Sequence, residues 1–298
     1  MCSPRVMATV YEAVSRRQFL GRLGAAGAAT TLGGIALHPA RVAGQNATPV
    51  AGSLATPSSG PLAGTAMLGT VTRVHDLSHI HSPTFPMFPG AQQMEINNLF
   101  TIASGGYYKN ELILDEHTGT HMDAPAHFAA GGLTAELLPV EQLIAPLAVI
   151  DITERAASDP DTQLMPDDIL AWEGAHGPLP AGAFVAMLSG WAERLVDPAS
   201  FLNQDAAGVT HFPGFHPDAA TFLVEERDIV GIGVDTISID YGASQDFATH
   251  VTILAAGHFG IESLAALASV PATGATVIIG GPKHAGASGG PTRVIALS

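Results

Sequence analysis

Thirteen residues, Glu116 to Phe128 (E-H-T-G-T-H-M-D-A-P-A-H-F), hold His117, His121, Asp123 and His127, with Gly119 and Pro125 as bends between them. Imidazole nitrogen and carboxylate oxygen are the ligands that zinc, manganese and similar divalent ions prefer. No lysine or arginine lies in the stretch to neutralise the carboxylate. Histidines four apart would fit one helical turn, but Gly119 and Pro125 argue for a compact loop, which can aim His117, His121 and Asp123 at one point. The Asp123 carboxylate has two oxygens, so either a one-ion or a two-ion site can start here. Three protein ligands do not complete a two-ion site. His250 and Glu262, beyond the D-T-I-S-I-D run from Asp235 to Asp240, are the candidates for the rest. Taken alone, a buried histidine such as His250 is more often a satisfied core residue than a ligand.

The chemistry follows from the ligand types. A bound divalent ion lowers the pKa of water from 15.7 to about 7, which makes hydroxide available for attack on an amide or formamide carbonyl. The departing amine must be protonated, and a histidine titrating near neutrality contributes roughly 10²–10⁴-fold by that transfer. His127, past the bend at Pro125, is the candidate general acid/base; its alternative is a third metal-bound imidazole. No G-x-S-x-G is present to support a serine nucleophile. Five N/O ligands permit one or two zinc ions, manganese, or a mixture.

Short strands and turns must position these groups. Thr70 to Leu77 alternates β-branched and polar residues, as a first strand would. Pro83, Pro86, Pro89 and Gly90 make the next stretch an irregular loop carrying Phe85 and Phe88. Glu111 to Leu114 reads as a strand leading into the histidine motif, and Thr134 to Leu143 as a short helix. Leu147–Ile152, Ala183–Leu188, Ile229–Ile237, Thr276–Ile279 and Arg293–Leu297 are apolar runs of strand length, and helices are expected over Pro166–Trp172 and Pro217–Arg227. The alternation gives an α/β class with a mixed sheet. His75, His79 and His81 fall near the end of the first strand, and His79 is expected to serve structurally. Trp191, after Ser189-Gly190, is a candidate for lining the pocket.

Composition bounds the partners. Ser15-Arg16-Arg17-Gln18-Phe19-Leu20 has the twin-arginine form of an export signal, an Ala/Gly/Leu-rich run follows, and Val42-Ala43-Gly44 offers a cleavage site. The expected organisation is a signal over residues 1–43, a flexible linker over 44–70, and one catalytic domain over 71–298. An uncleaved anchor is the weaker reading, because the run is glycine-rich and carries Arg22. The first 43 residues hold five arginines and one glutamate, so the formal net charge of −15 for the chain becomes −19 without them. Such a surface repels nucleic acid and anionic membranes. Cys2, the only cysteine, leaves with the signal, so a metal site must use N and O ligands.

Five pieces in order carry a family resemblance: D-L-S-H at Asp76–His79, P-M-F-P-G at Pro86–Gly90, H-T-G-T-H-M-D-A-P-A-H at His117–His127, G-V-D-T-I-S-I-D at Gly233–Asp240, and His250 with Glu262 twelve residues on. A closing G-G-P-T-R-V at Gly289–Val294 adds to them. Over about 220 residues the chain resembles the metal-dependent cyclase/formamidase family, which includes arylformamidases and isatin hydrolases. The resemblance implies a swivelling β/β/α fold, a homodimer or larger homo-oligomer, and metal ligation by His117, His121, Asp123, His250 and Glu262. It implies Asp123 and Glu262 between two ions, His127 as general acid/base, and Phe88 against the ring of a small-molecule substrate. Ala91 departs from the acidic residue that formamidases commonly place after the P-G pair, and export departs from cytoplasmic tryptophan catabolism; both bear on the substrate and not on hydrolysis. The rival reading is an exported metal- or small-molecule-binding protein of the same fold without turnover.

Overall fold

The computed structural model describes residues 71–298, which fall within one compact unit. The expected export signal and linker lie outside the described residues. Thirteen strands run in chain order: β1 Val74–Asp76, β2 Glu95–Phe100, β3 Lys109–Ile113, β4 His121–Asp123, β5 Ile144–Asp151, β6 Gln163–Leu164, β7 Ala183–Leu188, β8 Gly214–Phe215, β9 Ile229–Val234, β10 Phe259–Glu262, β11 Ala275–Gly280, β12 Gly289–Pro291 and β13 Arg293–Leu297.

Nine of them form one mixed sheet in the order β1-β13-β11-β5-β7-β9-β10-β4-β12. Its centre, β5-β7-β9-β10, is parallel, and the strands on either side are antiparallel. Only Thr292 separates β12, at one edge, from β13, near the other. A single residue cannot span the seven inter-strand spacings of ~4.8 Å between them, so the sheet curls until its edges approach. The α/β class and mixed sheet expected from the sequence are those observed.

Strand periodicity explains the two cores. Leu147 and Val149 of β5, with Phe184 and Ala186 of β7, enter one apolar cluster; Ala148, Ile150, Val185 and Met187 enter another. Both faces of these strands are therefore buried, which is why they read as unbroken apolar runs. The first cluster also takes Met122, Ile261, Val277 and Val294, so it fills the inside of the curl. The second is covered by helices Pro166–His176, Pro217–Glu226 and Ala248–Ala255 through Ile169, Trp172, Leu223, Ile253 and Leu254.

Three local expectations are corrected. Thr134–Leu143 is two short 3₁₀ turns, Ala135–Leu137 and Val140–Leu143, broken at Leu138-Pro139 because proline cannot donate to a continuing helix. The strand expected at Glu111–Leu114 is β3, which pairs with β2 in a separate exposed ribbon and not in the main sheet. The apolar run Ile229–Ile237 stops as a strand at Val234, where Asp235 turns to accept backbone N–H groups from Ser189 and Trp191. Among the described residues no helix is long and apolar enough to cross a membrane.

Candidate metal centre

The motif is a loop for only half its length. His117 lies in a turn, but His121–Asp123 is β4, paired to β10 on one side and β12 on the other. Alternation then does what the loop was expected to do: His121 and Asp123 share one face, while Met122 between them enters the core. Across the ladder Glu262 stands opposite His121, and Ile261, beside it, joins Met122 in the core. His121, Asp123 and Glu262 therefore face helix Ala248–Ala255, which carries His250. After Ala124, a 3₁₀ turn over Pro125–His127 sends His127 back over the site.

The four histidines and two carboxylates meet. His121 Nε2 is 3.4 Å from Asp123 Oδ1 and 3.3 Å from Glu262 Oε2. His250 Nε2 is 3.4 Å from Asp123 Oδ2 and 3.1 Å from Glu262 Oε1. His117 Nδ1 is 2.6 Å from Asp123 Oδ1. The ring of His127 stacks on that of His117, with centroids 3.8 Å apart. Donor atoms of His117, Asp123 and His127 lie within 4.8 Å of one another, as do those of His121, Asp123 and Glu262. Asp123 belongs to both groups, so two ion positions would share it.

Each of the three expected histidine ligands is held from behind through its other nitrogen. Nδ1 of His121 bonds the Gly119 carbonyl at 2.9 Å, Nδ1 of His250 bonds Asp240 Oδ2, and Nε2 of His117 bonds Ser288 Oγ at 3.0 Å. Partners of this kind fix tautomer and ring direction in metal sites. The inward atoms His121 Nε2 and Asp123 Oδ2 are buried with no hydrogen-bond partner. Buried polar atoms without partners cost free energy, and an ion among them would satisfy both. The residues present fit a divalent metal.

Electrostatics agree. Burial alone would depress His121, but the charges of Asp123 and Glu262 outweigh it and push the imidazole up to about 9. His250 is likewise pulled down by burial and raised well above its ordinary value by the carboxylates of Asp123, Asp240 and Glu262 around it. Burial and the Asp123 charge raise Glu262. Burial opposes ionisation of Asp123, yet the imidazoles around it hold its carboxyl well below the usual range. His127 is the exception: burial lowers it, Asp123 opposes, and three neighbouring imidazoles bring it to about 3. It is a neutral ring at neutral pH.

An aromatic wall borders this cluster. Phe128 packs at 4.7 Å from the rings of both His127 and His250, Phe247 lies 5.9 Å from His250, and Phe88 lies 6.1 Å from Phe247. Phe88 thus reaches the site through Phe247. Trp191, also expected to line the pocket, is instead 1% exposed in a small core cluster, its indole N–H bonded to the Phe201 carbonyl. His79 is half-buried and its backbone N–H donates to Thr120 Oγ1, while His75 bridges Ser269 and Ser298 through its ring. Asp240, Phe247, Phe128, Glu116 and Ser288 were not assigned roles from the sequence. Asp240 sits inside the recognised G-V-D-T-I-S-I-D piece; Phe247 carries no sequence signal, and only its φ of 52°, rare for an aromatic residue, singles it out.

A mixed sheet that converges histidines and carboxylates from β4, β10 and one helix defines an α/β protein with a candidate metal centre. Residues 75–241 match the Cyclase family model, and the chain belongs to that family. It is 36% identical over 252 residues to isatin hydrolase of Roseibium aggregatum, covering 78% of this chain and 95% of that one. It is 27% identical over 225 residues to kynurenine formamidase of Salinibacter ruber, covering 74% and 95%. A crystal structure of an isatin hydrolase bound to the product analogue thioisatinate superposes with a TM-score of 0.72 at 34% identity, over 76% of this chain and 92% of that one.

Proposed function

We propose that the chain is a metal-dependent hydrolase of a small cyclic or aryl-substituted amide, with formamides and lactams as the substrate class. It is an enzyme acting on non-peptide C–N bonds, in keeping with the named activities of its isatin hydrolase and kynurenine formamidase relatives. The observation that carries the reading is the convergence of His117, His121, Asp123, His250 and Glu262 beside a neutral, half-buried His127. A divalent ion held there, zinc or manganese, would polarise the carbonyl and make water nucleophilic at neutral pH.

The remaining work falls to side chains of this chain. Asp123 and Glu262 supply the negative charge that retains the ion. His127, neutral at rest, takes a proton from the attacking water at a ring nitrogen and returns it to the departing amine nitrogen, so one group serves as base and then acid. Phe88, Phe128 and Phe247 offer ring faces to a flat substrate and keep bulk water from it. Arg16-Arg17 and the run after it support export by the twin-arginine route, with the mature protein acting as a homo-oligomer outside the cytoplasm.

The test is metal analysis of the purified protein, followed by a hydrolysis screen on arylformamides, isatins and cyclic imides. Stoichiometric zinc or manganese with turnover of any of these classes supports the reading. Bound metal with no turnover across the screen would favour the rival metal-binding protein.

A further inference from the structure

His117 differs from the other histidines in how it is held. Its Nε2 lies 3.0 Å from Ser288 Oγ, which lies 2.6 Å from Glu116 Oε2, and the Ser288 backbone N–H donates to the same oxygen at 3.0 Å. A carboxylate only accepts, so the single hydroxyl proton of Ser288 is committed to Glu116. What remains for His117 is a lone pair on the hydroxyl oxygen, and Nε2 must then be the N–H donor. In the neutral ring, Nδ1 carries the free lone pair. It points at Asp123 Oδ1, 2.6 Å away, and two acceptors that close need a proton or a metal ion between them. His250 reaches the same arrangement through Asp240 directly, whereas His117 needs a hydroxyl between ring and carboxylate.

The second oxygen of Glu116 is bound as well: His284 Nε2 sits 2.9 Å from Oε1. The loop that brings in Ser288 is pinned further along by Gly286 N–H to Glu136 Oε1 at 2.8 Å and by Lys283 Nζ to the Glu136 carbonyl at 2.6 Å. Glu116 is thereby immobilised on three sides, as a residue setting a ring's orientation must be.

We propose that Glu116, acting through Ser288, is a positioning residue that fixes the tautomer of His117 and so sets how tightly the ion on the His117 side of Asp123 is held. This rests on the ligand set of the proposed function. Glu116 touches neither ion nor substrate and acts only through the serine.

The experiment uses the full chain, metal-stripped and then titrated with zinc against a competing chelator, in the parent and in Ser288→Ala, Ser288→Thr, Glu116→Ala, Glu116→Gln and the double variant Ser288→Ala/Glu116→Gln. Ser288→Ala and Glu116→Ala should each weaken zinc binding by about 10–100-fold. The double variant should be no weaker than Ser288→Ala, since the two residues act in series. Ser288→Thr and Glu116→Gln keep a hydroxyl and an acceptor oxygen, and should recover most of the affinity. Nitrogen-15 spectra of the zinc form should show His117 protonated at Nε2 in the parent, with that signal shifted in Ser288→Ala. Zinc affinities within about twofold of the parent in both alanine variants would overturn the inference and leave the hydrolase reading standing. A lower melting temperature of the metal-free protein with unchanged zinc affinity would also overturn it, as a merely structural role. A parent that binds no metal would overturn both.

Discussion

Glu262 stands in register opposite His121 across the β10–β4 ladder, and their Oε2 and Nε2 atoms, 3.3 Å apart, both approach Asp123. Three ionisable side chains are thus held on one sheet face by backbone pairing, which is stiffer than any loop. The ion they would share is worth several kcal/mol of barrier. Asp123→Ala should therefore lose bound metal and lower kcat by roughly 10³-fold or more, checked by elemental analysis beside turnover of whichever arylformamide or isatin responds. Normal turnover by a metal-free Asp123→Ala protein would end the metal reading.

The metal-free protein should lose stability as pH rises from about 6.5 to about 9. His121 is raised to about 9 when folded, and His250 is raised well above its ordinary value, so over this range these two rings hold more protons in the folded state than in the unfolded one. The contribution of His121 is complete below its unfolded value and gone above its folded one. For His121 alone it is on the order of 3 kcal/mol. An ion replaces those protons, so the zinc-loaded protein should show a flat profile. Urea melts of stripped and loaded protein at several pH values measure the difference; identical slopes would contradict it.

His127→Ala should keep its metal and lose about 10²–10⁴-fold in kcat, the usual contribution of a positioned acid/base. The ring stacks on His117 and is neutral at rest, so a ring nitrogen is free to accept a proton, though burial and the neighbouring imidazoles make it a weaker base than a free histidine. If metal content falls in step with activity, His127 is a ligand instead.

Phe247→Ala should raise KM for an aryl substrate by about tenfold, matching the loss of one aromatic contact, while leaving metal content unchanged. Its backbone sits at φ 52° and ψ 40°, next to helix Ala248–Ala255, a conformation that disfavours side chains beyond Cβ. Phe247→Gly should therefore be at least as stable as the parent and as poor in KM. A KM unchanged in both variants would remove Phe247 from the substrate wall.

Gly289→Ala tests how closely the site is closed. A Cβ at residue 289 would lie 2.2 Å from the Met122 carbonyl oxygen and 2.6 Å from His117 Cε1. Neither neighbour is a flexible chain end, so β12 must shift, at a cost of about 1–3 kcal/mol. The expected outcome is a lowered melting temperature and weaker zinc retention. Gly119 is similarly constrained, at φ +62° with the His81 ring where its Cβ would stand.

The sequence exposed the ligand types because density and spacing of His117, His121 and Asp123 are local properties. It exposed β5, β7 and β9 because strands buried on both faces are apolar without interruption. It misassigned the geometry at His121–Asp123, since a three-residue strand flanked by Gly119 and Pro125 has no periodicity of its own and is made a strand by β10 and β12. β2 was invisible for the opposite reason: its residues are exposed throughout and show no inside or outside. Trp191 was placed beside the substrate on its chemistry, but a large apolar ring next to Phe201 and Phe212 is buried by its neighbours. Partners such as Asp240 and Ser288 depend on contacts across 10 and 171 residues, which no local pattern records.

The placing of β4 between β10 and β12, strands far from it in sequence, has a kinetic consequence. His117 meets His250, Glu262 and Ser288 only when β10 and β12 pair on β4, and such long-range pairing is slow. A partly folded chain therefore offers the histidine motif to solution as a weak, open chelator. Tight metal retention would begin only with that pairing, so the rate of metal capture during refolding is a clock for the docking of β10 and β12 on β4.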